Sequence, residues 1–464
     1  MAALTPAALV VLLAFLWLRS RKNPLFLAGA AAFIGLGRSA YINIVPDQVL
    51  RQVGPLELTA GDVLFAALVL GWLYARQRRA ALRVRLSSKW VVLGVCVAYF
   101  LALELALVYA NAGGFHPMLI LLSRNWFYIP CGYLLTLDIL RRFTADETAQ
   151  YVGVLSLFTT CLMVLYIASA LGAPIYPYSK YLATSFAGTA IIRDFTTFPI
   201  WMGLAWAYYL SQPKRSAWAY VALAVLAAGT LLSYTRSLIL ELAVVVLLVV
   251  ILQMVQQARR AQALIIAVVA VAFLGILLVG GPVLAPAQYK YLGARLGEVD
   301  QPGKALSNAN VRQYRLQLFE RAQKAGAQVD HLLGAGLLDP TTSVASQQYN
   351  SYDSDWIRIV YYTGWAGVAV LAMPLVLAIV WGVKRFVSRG GSAGSGTLLL
   401  TGVLATVFSF AVRFTGQVYF WWPAVSLFPV ALVAYGLGIP AVGSARDSGA
   451  SVPHRVLPEL GGSR

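Results

Sequence analysis

Long apolar runs, separated by short polar or basic stretches, follow one another along nearly the whole chain. Most runs are about 16 to 25 residues long, which suits helices that cross about 30 Å of hydrocarbon. Almost none carries an acidic residue at its centre. The first and seventh runs are short, so either one is alternatively a half-span or an interfacial helix. The pattern predicts about thirteen membrane-spanning helices, within a range of about twelve to fourteen, near residues 3–18, 24–45, 59–75, 90–110, 118–140, 149–172, 197–212, 217–235, 237–257, 263–283, 357–381, 396–418 and 419–440.

The predicted fold is all-α, with a single helical transmembrane domain over residues 1–440 of a polytopic integral membrane protein. One long polar segment, 284–356, interrupts the apolar runs and is expected to form a large, partly helical loop outside the membrane. Residues 308–328 within it lack proline and have apolar residues at three-residue intervals, which predicts a helix. Residues 441–464 contain Gly, Ser, Pro and Arg without an apolar period, which predicts a disordered cytoplasmic tail.

Basic residues gather in alternate loops, and this alternation predicts the orientation in the membrane. Lys and Arg in short loops are retained on the cytoplasmic side. The long polar segment lies on the opposite, external face when thirteen spans are counted, together with the loops 46–58, 111–117 and 173–196. The basic loops all lie on the cytoplasmic side in this count: 19–22, 76–89, 141–142, 214–215, 259–260 and 384–389.

The composition agrees with a membrane protein and excludes several other classes. The 464 residues are 59% hydrophobic and only 12% charged, unlike those of a soluble globular protein. The net charge of +18 is mainly a topology signal, because the basic residues are dispersed among short loops; nucleic-acid binding explains it poorly. The three cysteines lie in predicted spans without metal-ligand spacing, and no ATP-binding loop or zinc-hydrolase motif occurs. No metal or other cofactor is therefore expected.

Arginines in or beside predicted spans on the external side are the main chemical feature. An Arg in mid-bilayer costs about 2.5 to 3.5 kcal/mol on insertion scales, so it usually faces a polar cavity and a partner. Because a guanidinium donates two parallel hydrogen bonds to phosphate, a convergent set indicates an anionic ligand, for which a polyprenyl pyrophosphate is the natural candidate. Alternatively, each arginine reaches lipid head groups or pairs with a nearby acid. The candidates are Arg38, Arg124, Arg193, Arg236, Arg358 and Arg413.

Three of the arginines have distinctive settings. Arg236 lies in Ser-Tyr-Thr-Arg-Ser, between two apolar runs with almost no loop, where a charged residue is an odd choice for structure alone. Arg312 and Arg315 are three residues apart on the predicted external helix and so share a face. They either present two guanidiniums to an anion or form a solvated helix face.

Candidate acids and bases lie at the end of the long polar segment. Asp353 and Asp355 open the next span and are two residues apart, so on a helix only one is expected to face a given site. Asp353 is the candidate general base, although an acid at a helix start is also favoured by the exposed amides and the dipole. His331 is a weaker candidate, since a lone histidine in a loop is more often structural or solvated.

Three motifs follow one another in this half of the chain. The first is the turn Thr235-Arg236-Ser237; the second is Arg315-Leu-Gln-Leu-Phe, followed by Gly334-Ala-Gly; the third begins Asp353-Ser-Asp-Trp and ends Gly364-Trp-Ala-Gly. In order and spacing, over about residues 230 to 380, they resemble the superfamily of O-antigen ligases and Wzy-type O-antigen or exopolysaccharide polymerases.

The resemblance implies a glycosyltransferase of the bacterial cytoplasmic (inner) membrane that acts on its external or periplasmic side. Arg236 and Arg315, with Arg312 beside them, are expected to bind the pyrophosphate of a lipid-linked glycan donor, and Asp353 to be the catalytic base. Ligases usually begin the third motif with His-Asn, whereas polymerases often have Asp there, as this chain does. The leading hypothesis is therefore a polymerase. Secondary candidates for the site are Arg124, Arg413, His331 and Asp355.

Two alternatives stay open at the level of sequence. One is an O-antigen ligase, which transfers the finished glycan to lipid A core. The other belongs to a different class, a lipid-linked oligosaccharide transporter or flippase whose arginines bind the same pyrophosphate without chemistry. The expected partners of the leading hypothesis are the donor, a glycan or lipid acceptor, membrane lipid and a chain-length regulator protein, and not nucleic acid.

Overall fold

Five helices form most of the part of the chain that the structure, a computed structural model, describes. They coincide within a few residues with five of the predicted runs, so the helical prediction is confirmed there; the other predicted spans lie wholly or mostly outside the described residues. The described residues are 25, 49–53, 56–59, 66, 69–70, 98, 102, 145–170, 183–186, 189–192, 199–212, 216–233, 236–255, 260–284, 286, 289–290, 293, 331–334, 364–369 and 380. The helices are α1 (Ala145–Ala170), α2 (Pro199–Ser211), α3 (Ala217–Leu232), α4 (Arg236–Val255) and α5 (Arg260–Leu284).

Two short β-hairpins, which the all-α prediction did not include, accompany the helices. β1 (Val49–Val53) pairs antiparallel with β2 (Leu56–Thr59), and β3 (Ala183–Phe186) with β4 (Thr189–Ile192). Only two residues, one of them Gly, connect the strands of each pair, which suits a tight hairpin turn. The hairpins fall in the loops predicted to be external. Their strands are four or five residues long, too short to give a clear alternating pattern between long apolar runs.

The stretch Gln150–Ala168 of α1 is, within the described residues, the one helix that is long and apolar enough to cross a membrane by length and composition. Half of that stretch is buried against the rest of the chain. Three further stretches are apolar but shorter: Ala217–Leu232, Glu241–Val255 and Arg260–Ala272. The structure thus describes a helical assembly with one candidate membrane span.

Helix α2 lies in the middle of this assembly. It packs against α1, α3 and α4, and its side chains from Met202 to Ser211 are buried, except for the partly buried Tyr208. Its 13 residues extend about 20 Å at about 1.5 Å per residue, less than the thickness of the hydrocarbon layer. The length therefore fits the half-span alternative for the seventh apolar run.

Close contacts set the relative direction of α1 and α3. The Tyr166 hydroxyl donates a hydrogen bond to the Leu232 carbonyl (2.9 Å). One turn earlier on each helix, Gly229 leaves room for Met163, whose sulfur and Cγ occupy the place that a Cβ would need. Both pairs follow the same order along the two helices, so α1 and α3 run parallel and end together.

The opposite end of the bundle is fixed by a second polar contact. The Gln253 side-chain amide, near the end of α4, donates to the Leu210 carbonyl at the end of α2 (3.1 Å). Since α4 begins directly after α3, it runs back past α3. Helix α5 packs on α4 after the short connection 256–259, so it returns in the first direction. We call the end where α1 and α3 finish and α4 begins the Arg236 end.

The outer surface of α5 is strongly apolar. A well-packed water-soluble protein rarely exposes so many large aliphatic side chains on one helix, whereas hydrocarbon suits them. Seven aliphatic side chains of α5 are 52–80% exposed: Leu264, Ile265, Val268, Val269, Val271, Val279 and Val283.

Candidate functional site

Two of the predicted site residues fall within the part of the chain that the structure describes. The backbone of Arg236 is described, as is the whole of His331. The structure therefore tests the local setting of these two residues. The roles of the other candidate site residues stay predictions. The residues outside the described part are Asp353, Asp355, Arg312, Arg315, Arg124 and Arg413, and with them Arg38, Arg193 and Arg358.

The tight turn predicted around Arg236 is confirmed. Helix α3 ends at Leu232, and α4 begins at Arg236 itself. Ser233 closes α3: its amide donates to the Gly229 carbonyl (2.9 Å), and its buried hydroxyl donates to the Thr230 carbonyl (2.7 Å). These local bonds give partners to two of the last carbonyls of α3.

A hydrogen bond from another helix also supports this turn. The last carbonyls of a helix have no partner within it, and the Tyr166 hydroxyl of α1 supplies one to Leu232. Tyr166 is fully buried, so packing restricts its ring. The turn that leads to Arg236 is thus attached to the neighbouring helix as well as to its own.

The position of Arg236 at the start of α4 favours an anion. The first amides of a helix have no acceptor within it, and the helix dipole adds a partial positive charge at this end. The arginine that begins α4 also carries a full positive charge. An anionic group next to the first turn of α4 is therefore favoured by both.

Glu241 is a polar residue of α4 that the sequence interpretation did not single out. It is 2% exposed and lies about 7.5 Å along the helix axis from Arg236 at about 1.5 Å per residue. An acid inside an apolar helix is generally functional or paired with a cation. The sequence alone could have identified Glu241, because it is the one acidic residue of the run 237–257.

The buried hydroxyls of α1, in contrast, are explained by the helix itself. Ser156, Thr159 and Thr160 each donate to the carbonyl four residues earlier, at 2.8 to 2.9 Å. Such bonds satisfy the hydroxyls within an apolar bundle without any external partner. The Thr160 and Tyr209 hydroxyls also lie within hydrogen-bond distance of each other (3.4 Å), which joins α1 to α2. This polar stripe is structural.

The second and third sequence motifs meet through their backbones. The carbonyl of His331 accepts a hydrogen bond from the amide of Trp365 (3.1 Å), and that of Leu332 accepts one from Ala366 (3.0 Å). We call this contact, made by residues 331–334 and 364–367, the backbone clasp. The His331 side chain is exposed, so it does not line an enclosed pocket of the described residues.

No group of three or more His, Cys, Asp or Glu side chains is arranged to hold a metal ion within the described residues. This observation covers only that part of the chain. The expectation of a metal-free site stays a prediction.

Neither a protein-family model nor a curated protein matches this chain. The resemblance to O-antigen ligases and polymerases rests on the three motifs alone, and what it implies is therefore a proposal.

Replacement of Tyr166 by Phe is expected to destabilise the protein and loosen the Arg236 turn. It removes the hydroxyl that satisfies the Leu232 carbonyl, which should lower the free energy of unfolding by about 1 to 2 kcal/mol. Unfolding in detergent measures this change, and trypsin cleavage after Arg236 reports the turn. The control is Tyr151→Phe, a buried tyrosine at the opposite end of α1. Equal trypsin cleavage in the two variants would show that Tyr166 does not hold the turn.

Proposed function

We propose that the protein is a multi-pass glycosyltransferase of the bacterial cytoplasmic membrane that polymerises polyprenyl-pyrophosphate-linked glycan repeats on the external face. The proposal is carried by one observation, the position of Arg236. This residue begins α4, and it follows the end of α3, where the Tyr166 hydroxyl donates a hydrogen bond to the Leu232 carbonyl. Helix α5 returns toward the same end and finishes at Leu284, the residue at which the long polar segment 284–356 of the sequence begins.

The membrane part of the proposal has independent support. Helix α1 contains a stretch long enough to cross a bilayer. Helices α4 and α5, with 20 and 25 residues, would extend about 30 and 37 Å, and α5 exposes aliphatic side chains along its length. The alternation of basic loops puts the Arg236 end outside and the connection 256–259, which contains Arg259, inside.

The proposed reaction is a direct glycosyl transfer. A hydroxyl of the acceptor sugar attacks the anomeric carbon of the donor, a new C–O bond forms, and the bond to polyprenyl pyrophosphate breaks. Arg236 and Arg315, with Arg312, offset the negative charge that develops on the leaving pyrophosphate. Asp353 accepts the proton of the attacking hydroxyl, a role that a carboxylate, ionised at neutral pH, can fill.

The ligase alternative differs in its acceptor and not in its donor. Both activities need arginines for the pyrophosphate and a base near the acceptor hydroxyl. Asp353-Ser354 at the head of the third motif favours the polymerase on the resemblance stated above. A flippase would need the arginines and no base.

Purified protein in detergent or liposomes, incubated with a lipid-linked repeat unit, is expected to produce a ladder of glycan lengths on a gel. Transfer that occurs only when lipid A core is added would replace the polymerase with a ligase. Movement of the lipid-linked glycan across liposomes without a new glycosidic bond would replace both with a flippase.

The variant Asp353→Asn is expected to lose activity by about 10²- to 10⁴-fold while it still binds donor, because it removes proton acceptance and leaves the arginines intact. Product formation and binding of a labelled lipid pyrophosphate are measured separately. Asp355→Asn serves as the matched variant, since it makes the same change two residues away. The base would have to be reassigned if Asp355→Asn were inactive and Asp353→Asn active.

The variant Arg236→Ala is expected to weaken both donor binding and turnover, since the guanidinium contacts the donor before and during the reaction. Arg236→Lys should recover only part of this loss, because an ammonium cannot form the paired hydrogen bonds. The control is Arg260→Ala, an exposed arginine that begins α5 at the opposite end of the bundle. Donor titration and initial rates are compared for all three. Unchanged donor binding in Arg236→Ala would exclude it from the pyrophosphate site.

A further inference from the structure

One side of α5 combines a cation with a column of aliphatic side chains. Arg260, the first residue of this helix, is exposed. Leu264, Val268 and Val271 follow it at intervals of four, four and three residues, which places all of them on the same side of the helix. The three aliphatic side chains are 61%, 59% and 70% exposed. We call these four residues the Arg260 face.

The end of the preceding helix orients the guanidinium of Arg260. Its Nε–H donates a hydrogen bond to the Met254 carbonyl (3.2 Å), which is one of the last carbonyls of α4 and has no partner within that helix. A guanidinium carries further N–H donors on its two terminal nitrogens. The bond to Met254 thus restricts a long side chain and leaves the paired donors that suit a phosphate group.

The sequence around Arg260 is free of acidic residues. The stretch from 242 to 297 contains no Asp or Glu, and Arg259 adds a second cation next to Arg260. The partial negative charge at the end of α4 offsets only part of a full positive charge. An anionic partner for Arg260 therefore has to come from outside this stretch of the chain.

Trp218 and Tyr220, which are 51% and 50% exposed, mark the same end of the bundle. They lie in the first turn of α3, about 18 to 21 Å before the end of that helix, whereas Met254 lies about 27 Å from the start of α4. Trp and Tyr are enriched where the hydrocarbon of a bilayer meets its head groups. From the Arg236 end, the exposed side chains thus change from aliphatic to aromatic and then to cationic, as they do across a membrane interface.

We propose that the Arg260 face binds an anionic phospholipid of the leaflet opposite the Arg236 end. The lipid phosphate accepts hydrogen bonds from the terminal nitrogens of Arg260, and an acyl chain lies along Leu264, Val268 and Val271. A lipid fits better than a soluble anion, because the aliphatic column begins one helical turn from the cation. The column extends over about 10 Å, within the roughly 15 Å of hydrocarbon of one leaflet. This inference rests on the membrane part of the proposed function and is independent of the glycosyl transfer.

The site is tested by native mass spectrometry of the full-length protein in detergent, titrated with phosphatidylglycerol. Arg260→Ala is expected to weaken the tightest lipid-binding event by about 5- to 10-fold. Arg260→Lys should recover only part of this loss, because an ammonium keeps the charge without the paired donors. The matched control is Lys290→Ala, which removes an exposed cation just beyond the other end of α5 and should leave this event unchanged. Equal affinity of Arg260→Ala and the unaltered protein would overturn the proposal.

Competition separates a phospholipid from a soluble phosphate. Glycerol phosphate has the same phosphate group without acyl chains, so it should not displace phosphatidylglycerol at an equal concentration. Phosphatidylethanolamine, whose ammonium neutralises its phosphate, should bind more weakly than phosphatidylglycerol. Displacement by glycerol phosphate would contradict a lipid site, and equal binding of the two lipids would contradict its preference for an anion.

Leu264→Glu tests the site with the Arg260 bond to Met254 in place. Leu264 is more than half exposed, so this change should not disturb the core. A carboxylate one turn from Arg260 pairs with the guanidinium and repels the phosphate. We expect phosphatidylglycerol to bind about 5- to 10-fold more weakly, with an unchanged midpoint of thermal unfolding in lipid-free detergent. Unchanged lipid binding by this variant would also overturn the proposal, including the case in which Arg260→Ala does not fold.

The glycan assay gives a separate result. Without added phospholipid, Arg260→Ala should bind the donor as the unaltered protein does, because Met254 lies about 27 Å along α4 from Arg236. If lipid binding depends on Arg260 and no glycan ladder forms, the proposed function fails and the lipid site is supported. If a ladder forms and lipid binding does not depend on Arg260, only the lipid site is overturned.

Discussion

The arrangement of the bundle depends on the need to satisfy main-chain groups where water is scarce. In hydrocarbon, only helices satisfy their own backbone, and each unpaired group costs several kcal/mol. Helix α2 is short and buried, so the carbonyls at its end need partners from the protein. Gln253 provides one for Leu210, and Tyr166 does the same for α3 at Leu232. These two contacts also fix the register of α4 and α1, and through them the position of Arg236.

The helices could be predicted because their signal is local and repeated. An apolar run of about 20 residues identifies a helix without knowledge of its neighbours, and the runs reproduce α1 to α5 within a few residues. The turn before Arg236 was predictable for the same reason, since two runs leave almost no chain between them. The hairpins β1–β2 and β3–β4 were not, because a pair of strands of four or five residues depends on its surroundings as much as on its sequence.

The contacts that organise the candidate site were not predictable, because they join residues distant in the chain. Tyr166 and Leu232 are 66 positions apart, and nothing in the spacing of either indicates the other. The sequence identified the glycine motifs at Gly334 and Gly364. It did not predict that backbone hydrogen bonds join the two segments. Glu241 is a different case, because the sequence shows an acidic residue within an apolar run. Its burial is seen only in the structure.

A transfer that relies on electrostatic stabilisation places a particular demand on this architecture. Guanidiniums lower the barrier only if they are already oriented toward the charge that develops, since reorientation during the reaction would cost much of the gain. A displacement of about 1 Å can reduce the rate by about 100-fold. Long arginine side chains are flexible, so precision has to come from the backbone that bears them. The Tyr166 bond to the α3 end is such a backbone attachment, and the proposed chemistry should depend on it as well as on the charged residues.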